Sequence, residues 1–496
     1  MLFEKLLEDV ESISSQYECE NEKKHLKELS QFFTPLKCAK QMSKIAIENL
    51  PVNNSSLHIL DPCAGFGILT LSLLEQIIEN TNFNDLHCVL YEKDSTLIPY
   101  LNNALTQASN LAKKQNVKIS YEVINADFLK SNEDNWKTNK FNTLFDLIIM
   151  NPPYKKIKKD DALCWLEIVN GQPNLYQIFF ALCIKLLNIS GTLVTLSPRS
   201  FCSGKYFSAL RKYMLSEGMF NRIHYFHNRT SIFNNEVCQE TIITSFCKSK
   251  LSNTVVITSS YSIHDFENQT YLALPFENLL WSDEKIILLP LSTEDYSLVE
   301  TISSFPTTFQ DINLSFATGK VVDFRNQEYL FSEYKPSTVP MFFLKSLTPF
   351  FVTWPTENKK NYFLITENNK QRLIPNKTQL FLRRISSKDN IRKLSASIYL
   401  AINHGTFEYI AVDNKINYLK YDSLPEEIVY GVYILLNSSL YEKFYRILNG
   451  NTQVNVSELN ALPSLPLNSL IELGELYKNE NLTTAICDAI LERYIE

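Results

Sequence analysis

The sequence predicts an α/β protein: a first half built on a mostly parallel sheet, then a second half of mixed α+β character. Three observations carry this. Over residues 1 to about 250, short apolar runs alternate with stretches of helical length and periodicity. After about residue 250 that alternation gives way to short β-like segments separated by Asn, Ser, Thr and Pro. At 496 residues the chain is also too long for one hydrophobic core to organise, so two domains are expected, 1–250 and 251–496.

Each element follows from local pattern. Leu57-His58-Ile59-Leu60, Cys88-Val89-Leu90-Tyr91 and Leu147-Ile148-Ile149-Met150 are short, apolar and strand-like. Helical stretches lie between and beyond them, at Ile68 to Ile78, Ser95 to Lys114 and Leu175 to Leu187, the last leading into the strand Thr192 to Leu196. Such alternation puts helices on both faces of a parallel sheet, whose ligands bind beyond the carboxyl ends of the strands. Helical periodicity returns near the C-terminus, over Glu426 to Leu436, Leu440 to Leu448 and Leu467 to Tyr494. No internal repeat or low-complexity tract interrupts the chain.

Composition narrows the class. Ten cysteines are scattered without a CxxC pair, and seven histidines do not cluster with them, so no metal site is expected. Isolated thiols suit a reducing compartment, and no apolar run approaches the roughly 20 residues of a membrane helix. The start, Met1-Leu2-Phe3-Glu4-Lys5, carries no signal pattern. A cytoplasmic protein without membrane contact is expected. The net charge of −6 does not exclude a polyanionic partner, because phosphate binding needs only a local basic face.

Asn151-Pro152-Pro153-Tyr154 follows a buried strand that opens with Asp146. Asn-Pro also closes ordinary strands, and a plain turn would look the same. The alternative is chemical. A conjugated exocyclic amine is a poor nucleophile because its lone pair is delocalised into the ring. Two acceptors aimed at its protons pull the nitrogen toward tetrahedral geometry and restore the lone pair. The Asn151 side chain and the Pro152 carbonyl are two such acceptors, held by two stiff prolines, and Tyr154 can stack on a ring.

Asp61-Pro62-Cys63-Ala64-Gly65-Phe66-Gly67 joins a strand to a helix. Gly65 and Gly67 let a ligand approach the backbone, although a tight structural turn would read alike. The missing third glycine and the absent Lys-Ser/Thr pair argue against ordinary dinucleotide and P-loop sites. Glu92 ends the next strand, where a carboxylate can accept ribose hydroxyls. Asp127-Phe128 ends the following one, where Asp can take an adenine amino group and Phe can cover the ring. Acids at three successive strand ends, followed by Asn151 to Tyr154, form one pattern.

The order Gln31-Phe32-Phe33-Thr34-Pro35, the Gly65/Gly67 loop, Glu92, Asp127-Phe128 and Asn151-Pro152-Pro153-Tyr154 resembles the gamma-class N6-adenine DNA methyltransferases. Ser30 stands where a glycine commonly precedes this first run. The resemblance implies a Rossmann-like class I methyltransferase domain first and a target-recognition domain second. It implies S-adenosylmethionine as cofactor, with Thr34 and Pro35 at its methionine end, Asp61, Ala64, Gly65 and Gly67 along the amino-acid moiety, Glu92 at the ribose, and Asp127 with Phe128 at the adenine. It also implies a Phe packed on a flipped base, matched by Phe233 beside Tyr154.

Thr318 to Arg325, Leu382 to Lys388 and Asn449 to Asn455 resemble the PstI/BsuBI-type modification methylases. That resemblance implies duplex DNA as partner, a separately encoded restriction endonuclease alongside, and a monomer holding DNA between its domains. Lys370 to Lys393 is the most basic segment of the second half, with Lys370, Arg372, Lys377, Arg383, Arg384, Lys388, Arg392 and Lys393 against Asp389 alone. Phosphate contact explains it, and so does a solvated charged face. Candidate DNA contacts are Lys155, Lys156, Arg325, Arg383, Arg384, Lys388, Asn451 and Gln453. An RNA adenine methyltransferase and a non-catalytic DNA-binding subunit are the competing readings. An extruded base looks alike in either polymer, whereas a pure binding module would need neither Asn151 nor the cofactor acids.

Overall fold

A computed structural model describes residues 2–21, 32–48, 50, 55–169, 171–228, 232, 240–249, 253–357, 360–385, 392–401, 407–449 and 453–495. The chain forms two compact units, Met1–Ser292 and Thr293–Glu496.

Unit 1 is built on one nine-stranded sheet, in spatial order β3-β2-β1-β4-β5-β7-β6-β8-β9. The strands are β1 (Ser56–Asp61), β2 (Asp85–Glu92), β3 (Lys118–Asn125), β4 (Phe145–Met150), β5 (Leu187–Pro198), β6 (Met219–Phe226), β7 (Thr241–Cys247), β8 (Thr254–Ser260) and β9 (Thr270–Pro275). The first five run parallel, as continuous apolar runs require when both faces are covered. β7 inserts antiparallel between β5 and β6, and β9 is antiparallel to β8. Helices α1 (Glu4–Glu20), α2 (Leu36–Ile47), α3 (Ile68–Asn80), α4 (Ile98–Lys113), α5 (Phe128–Thr138), α6 (Leu175–Leu186) and α7 (Ser208–Glu217) connect or cover them. The interior strands β1 and β4 bury Leu57, Ile59, Leu60 and Leu147 to Met150 completely. Strand order reverses between β1 and β4, so their carboxyl ends open a crevice of the kind that binds ligands in open α/β sheets. A small ribbon of β10 (Leu280–Trp281) and β11 (Ile286–Ile287) completes the unit.

The boundary lies about forty residues beyond the expected one. β8 and β9 continue the same sheet, with β8 parallel to β6, so the β-like texture after residue 250 begins inside unit 1.

Unit 2 opens with α8 (Thr293–Ser303) and, among the described residues, carries two larger sheets and a two-stranded pairing of Thr307–Thr308 with Pro463–Ser464. After β12 (Thr307–Thr308) come β13 (Ser315–Thr318), β14 (Leu330–Phe331), β15 (Thr338–Phe342), β16 (Tyr362–Leu364), β17 (Ile374–Pro375), β18 (Gln379–Arg383), β19 (Ala396–Tyr399), β20 (Tyr409–Val412) and β21 (Ile416–Lys420). One sheet is ordered β13-β21-β18-β19 and the other β14-β16-β15-β20-β17. Helices α9 (Ile428–Asn437), α10 (Ser439–Leu448), α11 (Val456–Asn460), α12 (Leu467–Tyr477) and α13 (Thr484–Ile495) follow. The helical pattern expected from Leu467 to Tyr494 is two helices, broken across Lys478 to Thr483, where Leu482 alone is apolar and no stripe is available to bury. Among the described residues no helix is long and apolar enough to cross a membrane.

Candidate active site

The loop after β1 is shaped by two glycines. Gly65 and Gly67 have φ of +54° and +84°, a left-handed conformation that other residues adopt only under strain. A Cβ on Gly67 would stand 2.6 Å from Leu101 Cδ1. The Ala64 N–H donates to the Tyr91 carbonyl at the end of β2, tying this loop to the neighbouring strand.

Glu92, the last residue of β2, holds the loop from beside it. One carboxylate oxygen accepts the Gly65 N–H at 2.8 Å and the other accepts the Asp94 N–H at 2.7 Å. Two oxygens offer about four acceptor positions, so capacity remains for a ligand. Asp61 ends β1 and is 1% exposed; it accepts from Thr70 Oγ1 at 2.9 Å and from the Cys63 N–H at 3.3 Å. Burial pushes its carboxyl up to about 7, against those two hydrogen bonds.

Asp127 caps α5 by accepting from the Leu129 and Lys130 N–H groups, and its second oxygen accepts from Lys93 Nζ at 2.9 Å. Burial pushes the carboxyl up, but Lys93 and the Lys130 amide outweigh it and hold it below the usual range. Phe128 is packed edge-on to Tyr91 and against Phe179 and is 3% exposed, so its ring is buried rather than an open platform.

Asn151 follows β4 directly and meets the segment before α2. Its Nδ2 donates to the Phe32 carbonyl at 2.9 Å and to Thr34 Oγ1 at 3.1 Å. Its Oδ1 accepts from the Tyr154 hydroxyl at 2.8 Å, and that same hydroxyl lies 3.0 Å from the Leu196 carbonyl. Burial holds the Tyr154 phenol well above its ordinary range, so it remains a donor. The Tyr154 ring lies nearly parallel to Phe32 and edge-on to Tyr176. Cys63 Sγ donates to the Asn151 carbonyl at 3.3 Å, joining the glycine loop to this turn. Thr34, Asp61, Gly65, Glu92 and Asn151 therefore belong to one connected cluster at the carboxyl ends of β1, β2 and β4. Pro35 caps the start of α2, and Pro152 and Pro153 join Asn151 to Tyr154.

Residues 65–233 match the Eco57I restriction-modification methylase family. The type II methyltransferase M.PstI of Providencia stuartii is 32% identical over 435 residues, covering 85% of each chain. The type II methyltransferase M.BsuBI of Bacillus subtilis is 31% identical over 488 residues, covering 95% of each. The chain belongs to the type II methyltransferases of restriction-modification systems. It is a DNA methyltransferase, and its methyl donor is S-adenosylmethionine. The fold is also similar to that of the type IIL restriction-modification enzyme MmeI, at a TM-score of 0.53 and 13% identity, over 91% of this chain and 68% of that one.

In the second unit of this methyltransferase the expected DNA contacts fare unequally. Arg325 is exposed, with its guanidinium 5.3 Å from the Phe324 ring centroid. Arg383 and Arg384 are half-buried and diverge, one donating to the Leu347 carbonyl at 2.8 Å and the other to the Asn414 carbonyl at 2.9 Å. Arg392 and Lys393, read from sequence as part of a phosphate-facing stretch, are structural instead. Arg392 donates to Thr484 and to the Leu436 and Ser438 carbonyls, and Lys393 is buried with its ammonium on the Asn449 carbonyl. Asn449 is itself fully buried, bonded to Tyr445, Gln453 and Glu458, and so braces its loop from within. Gln453 is exposed, as are Lys155 and Lys156 in unit 1. Gln31, Phe233, Lys388 and Asn451 lie outside the described residues.

Three groups in the cluster escape sequence reading. The Phe32 and Leu196 carbonyls are backbone atoms and leave no residue signature. Lys93 carries only the hint of standing next to Glu92.

Proposed function

We propose that this enzyme methylates N6 of an adenine flipped out of duplex DNA, as the modification half of a restriction-modification pair. The observation that carries the reading is the Asn151 carboxamide, fixed at the end of β4 with both amide protons engaged on one side. Its Oδ1 keeps a lone pair beyond the one used by Tyr154. Accepting an amine proton there, together with the Pro152 carbonyl, draws the nitrogen toward tetrahedral geometry and restores its lone pair. A preorganised acceptor of this kind acts where charge develops and needs no reorganisation at the moment of reaction.

The crevice suits a nucleoside with an amino-acid tail. Glu92 would hold the ribose hydroxyls, Asp127 and Phe128 the adenine, and Asp61, Ala64, Gly65, Gly67, Thr34 and Pro35 the methionine end. When bound, S-adenosylmethionine supplies a methyl carbon activated by a positively charged sulfur. Tyr154, with Phe233, would stack on the extruded base, for which unstacking costs a few kcal/mol. Exposed Lys155, Lys156, Arg325 and Gln453 would meet DNA, with the free N–H groups of Arg383 and Arg384 and with Lys388 and Asn451. We place the enzyme in the cytoplasm as a monomer, beside a separately encoded endonuclease.

Incubation with tritiated cofactor and duplex DNA of mixed sequence, followed by digestion to nucleosides, tests this. Label is expected in N6-methyldeoxyadenosine, with structured RNA unlabelled. Label in cytosine, or in RNA alone, overturns the substrate.

A further inference from the structure

We infer that Thr34 is a positioning residue for methyl transfer: its hydroxyl and the Phe32 carbonyl together set the rotation of the Asn151 carboxamide. The inference rests on the reading of Asn151 as acceptor for the target amine.

A carboxamide can sit in two orientations related by a half-turn, and only one of them presents oxygen to the substrate. The surroundings of Asn151 decide between them. A backbone carbonyl can only accept, so the atom 2.9 Å from the Phe32 oxygen must be the amide nitrogen. The Thr34 hydroxyl, 3.1 Å away, takes the second amide proton. A half-turn would set Oδ1 against the Phe32 oxygen, two acceptors face to face. On the opposite side the Tyr154 hydroxyl donates to Oδ1 at 2.8 Å, a contact that fits this orientation. The Phe32 carbonyl thus selects the orientation, both hydroxyls fit it, and among the described residues Thr34 contributes the side chain on the amide-nitrogen side.

The mount is rigid. Thr34 is 7% exposed and immediately precedes Pro35, the N-cap of α2. The N–H of the next residue, Leu36, donates to Glu11 Oε1 of α1 at 2.8 Å. Fixing both amide protons also polarises the carboxamide and enriches negative charge on Oδ1, the atom that faces the amine as positive charge builds there. Removing the Thr34 oxygen leaves one amide proton unmatched and lets the carboxamide rock about its last bond. The loss is read in the transfer step at saturating cofactor, where any contact of Thr34 with the methionine end of the cofactor does not enter the rate.

Thr34→Val removes the hydroxyl while keeping the branched shape, and Thr34→Ser keeps the oxygen. The full-length proteins are compared by calorimetric cofactor affinity and by single-turnover methylation at saturating cofactor and DNA. Hydrogen exchange of the Asn151 side-chain amide is read by NMR in cofactor-free protein, with the signal assigned by its loss in Asn151→Ala. Thr34→Val should transfer methyl about tenfold or more slowly at saturation, the effect of roughly 1.4 kcal/mol in the barrier. Its Asn151 amide should exchange faster, and Thr34→Ser should restore both. If melting shows that Thr34→Val does not fold, Thr34→Ala takes its place. A wild-type saturated rate without the hydroxyl, an unchanged amide exchange, or failure of serine to rescue overturns the inference. Should Asn151→Ala itself react at the wild-type rate, the functional reading falls too; if Asn151→Ala is inert while Thr34→Val is normal, only the role of Thr34 falls.

Discussion

Under the proposed function Glu92 would perform two tasks with one carboxylate. Each oxygen already accepts a backbone N–H, from Gly65 and from Asp94, so the side chain shapes the loop before any ligand arrives. Glu92→Ala should therefore weaken cofactor binding by about one to two decades, the worth of a charge-assisted hydrogen bond of roughly 1.5–3 kcal/mol. Glu92→Gln should not rescue it, because the amide NH2 would face one of the two backbone N–H donors. Calorimetry reads both, and a Gln variant of wild-type affinity would separate Glu92 from the loop. Glu92 was legible in the sequence because a carboxylate ending a strand has few neutral explanations once two more stand at neighbouring ends. Its grip on Gly65 was not legible, since a side-chain contact across 27 residues has no local pattern.

At the scale of elements, the alternating apolar runs placed β1, β2, β4, β5 and their helices within a few residues. What they concealed is the far edge of the sheet. β8 is rich in Thr and Ser, β9 ends on Pro275 at the sheet edge, and without a crossover α-helix between them they resemble the second half of the chain. The register of β6 on β8 carries a testable charge. His224 on β6 is fully buried, with its ring nitrogens 2.8 Å from Thr258 Oγ1 and 3.1 Å from Ser260 Oγ. Burial, with Arg222 and His227 adding to it and Asp265 opposing, pushes its imidazole down to about 3. A histidine depressed in the folded state stabilises the fold above its ordinary value of about 6.5, and that contribution is lost as pH falls toward 3. Below pH 6.5 this histidine should cost up to about 1.4 kcal/mol of stability per pH unit, against the opposite slope that the raised Asp61 carboxyl gives over the same range. Stability measured by melting at pH 7 and pH 5 should therefore fall less, or rise more, in His224→Gln than in the unaltered protein; an identical pH dependence would mean the ring protonates freely in the fold.

On the scale of the whole molecule, the two units divide the residues by chemistry. The acids, the glycine loop and Asn151 all stand in Met1–Ser292, and Arg325, Arg383, Arg384 and Gln453 in Thr293–Glu496. Sequence placed the first set at strand ends, where period and position agree, and the fold brings Thr34, Asp61, Gly65, Glu92 and Asn151 together. Sequence separated the second set poorly. Basic residues such as Arg392 and Lys393 serve buried carbonyls, and a charge count cannot tell a carbonyl from a phosphate. The central claim, that the Asn151 carboxamide acts on the target amine, is tested most directly by single-turnover methylation with Asn151→Ala, alongside its affinities for cofactor and DNA. The account predicts a rate lower by about a hundredfold or more with both affinities nearly intact, as for a group whose interaction strengthens only in the transition state. A wild-type rate from that variant would contradict it.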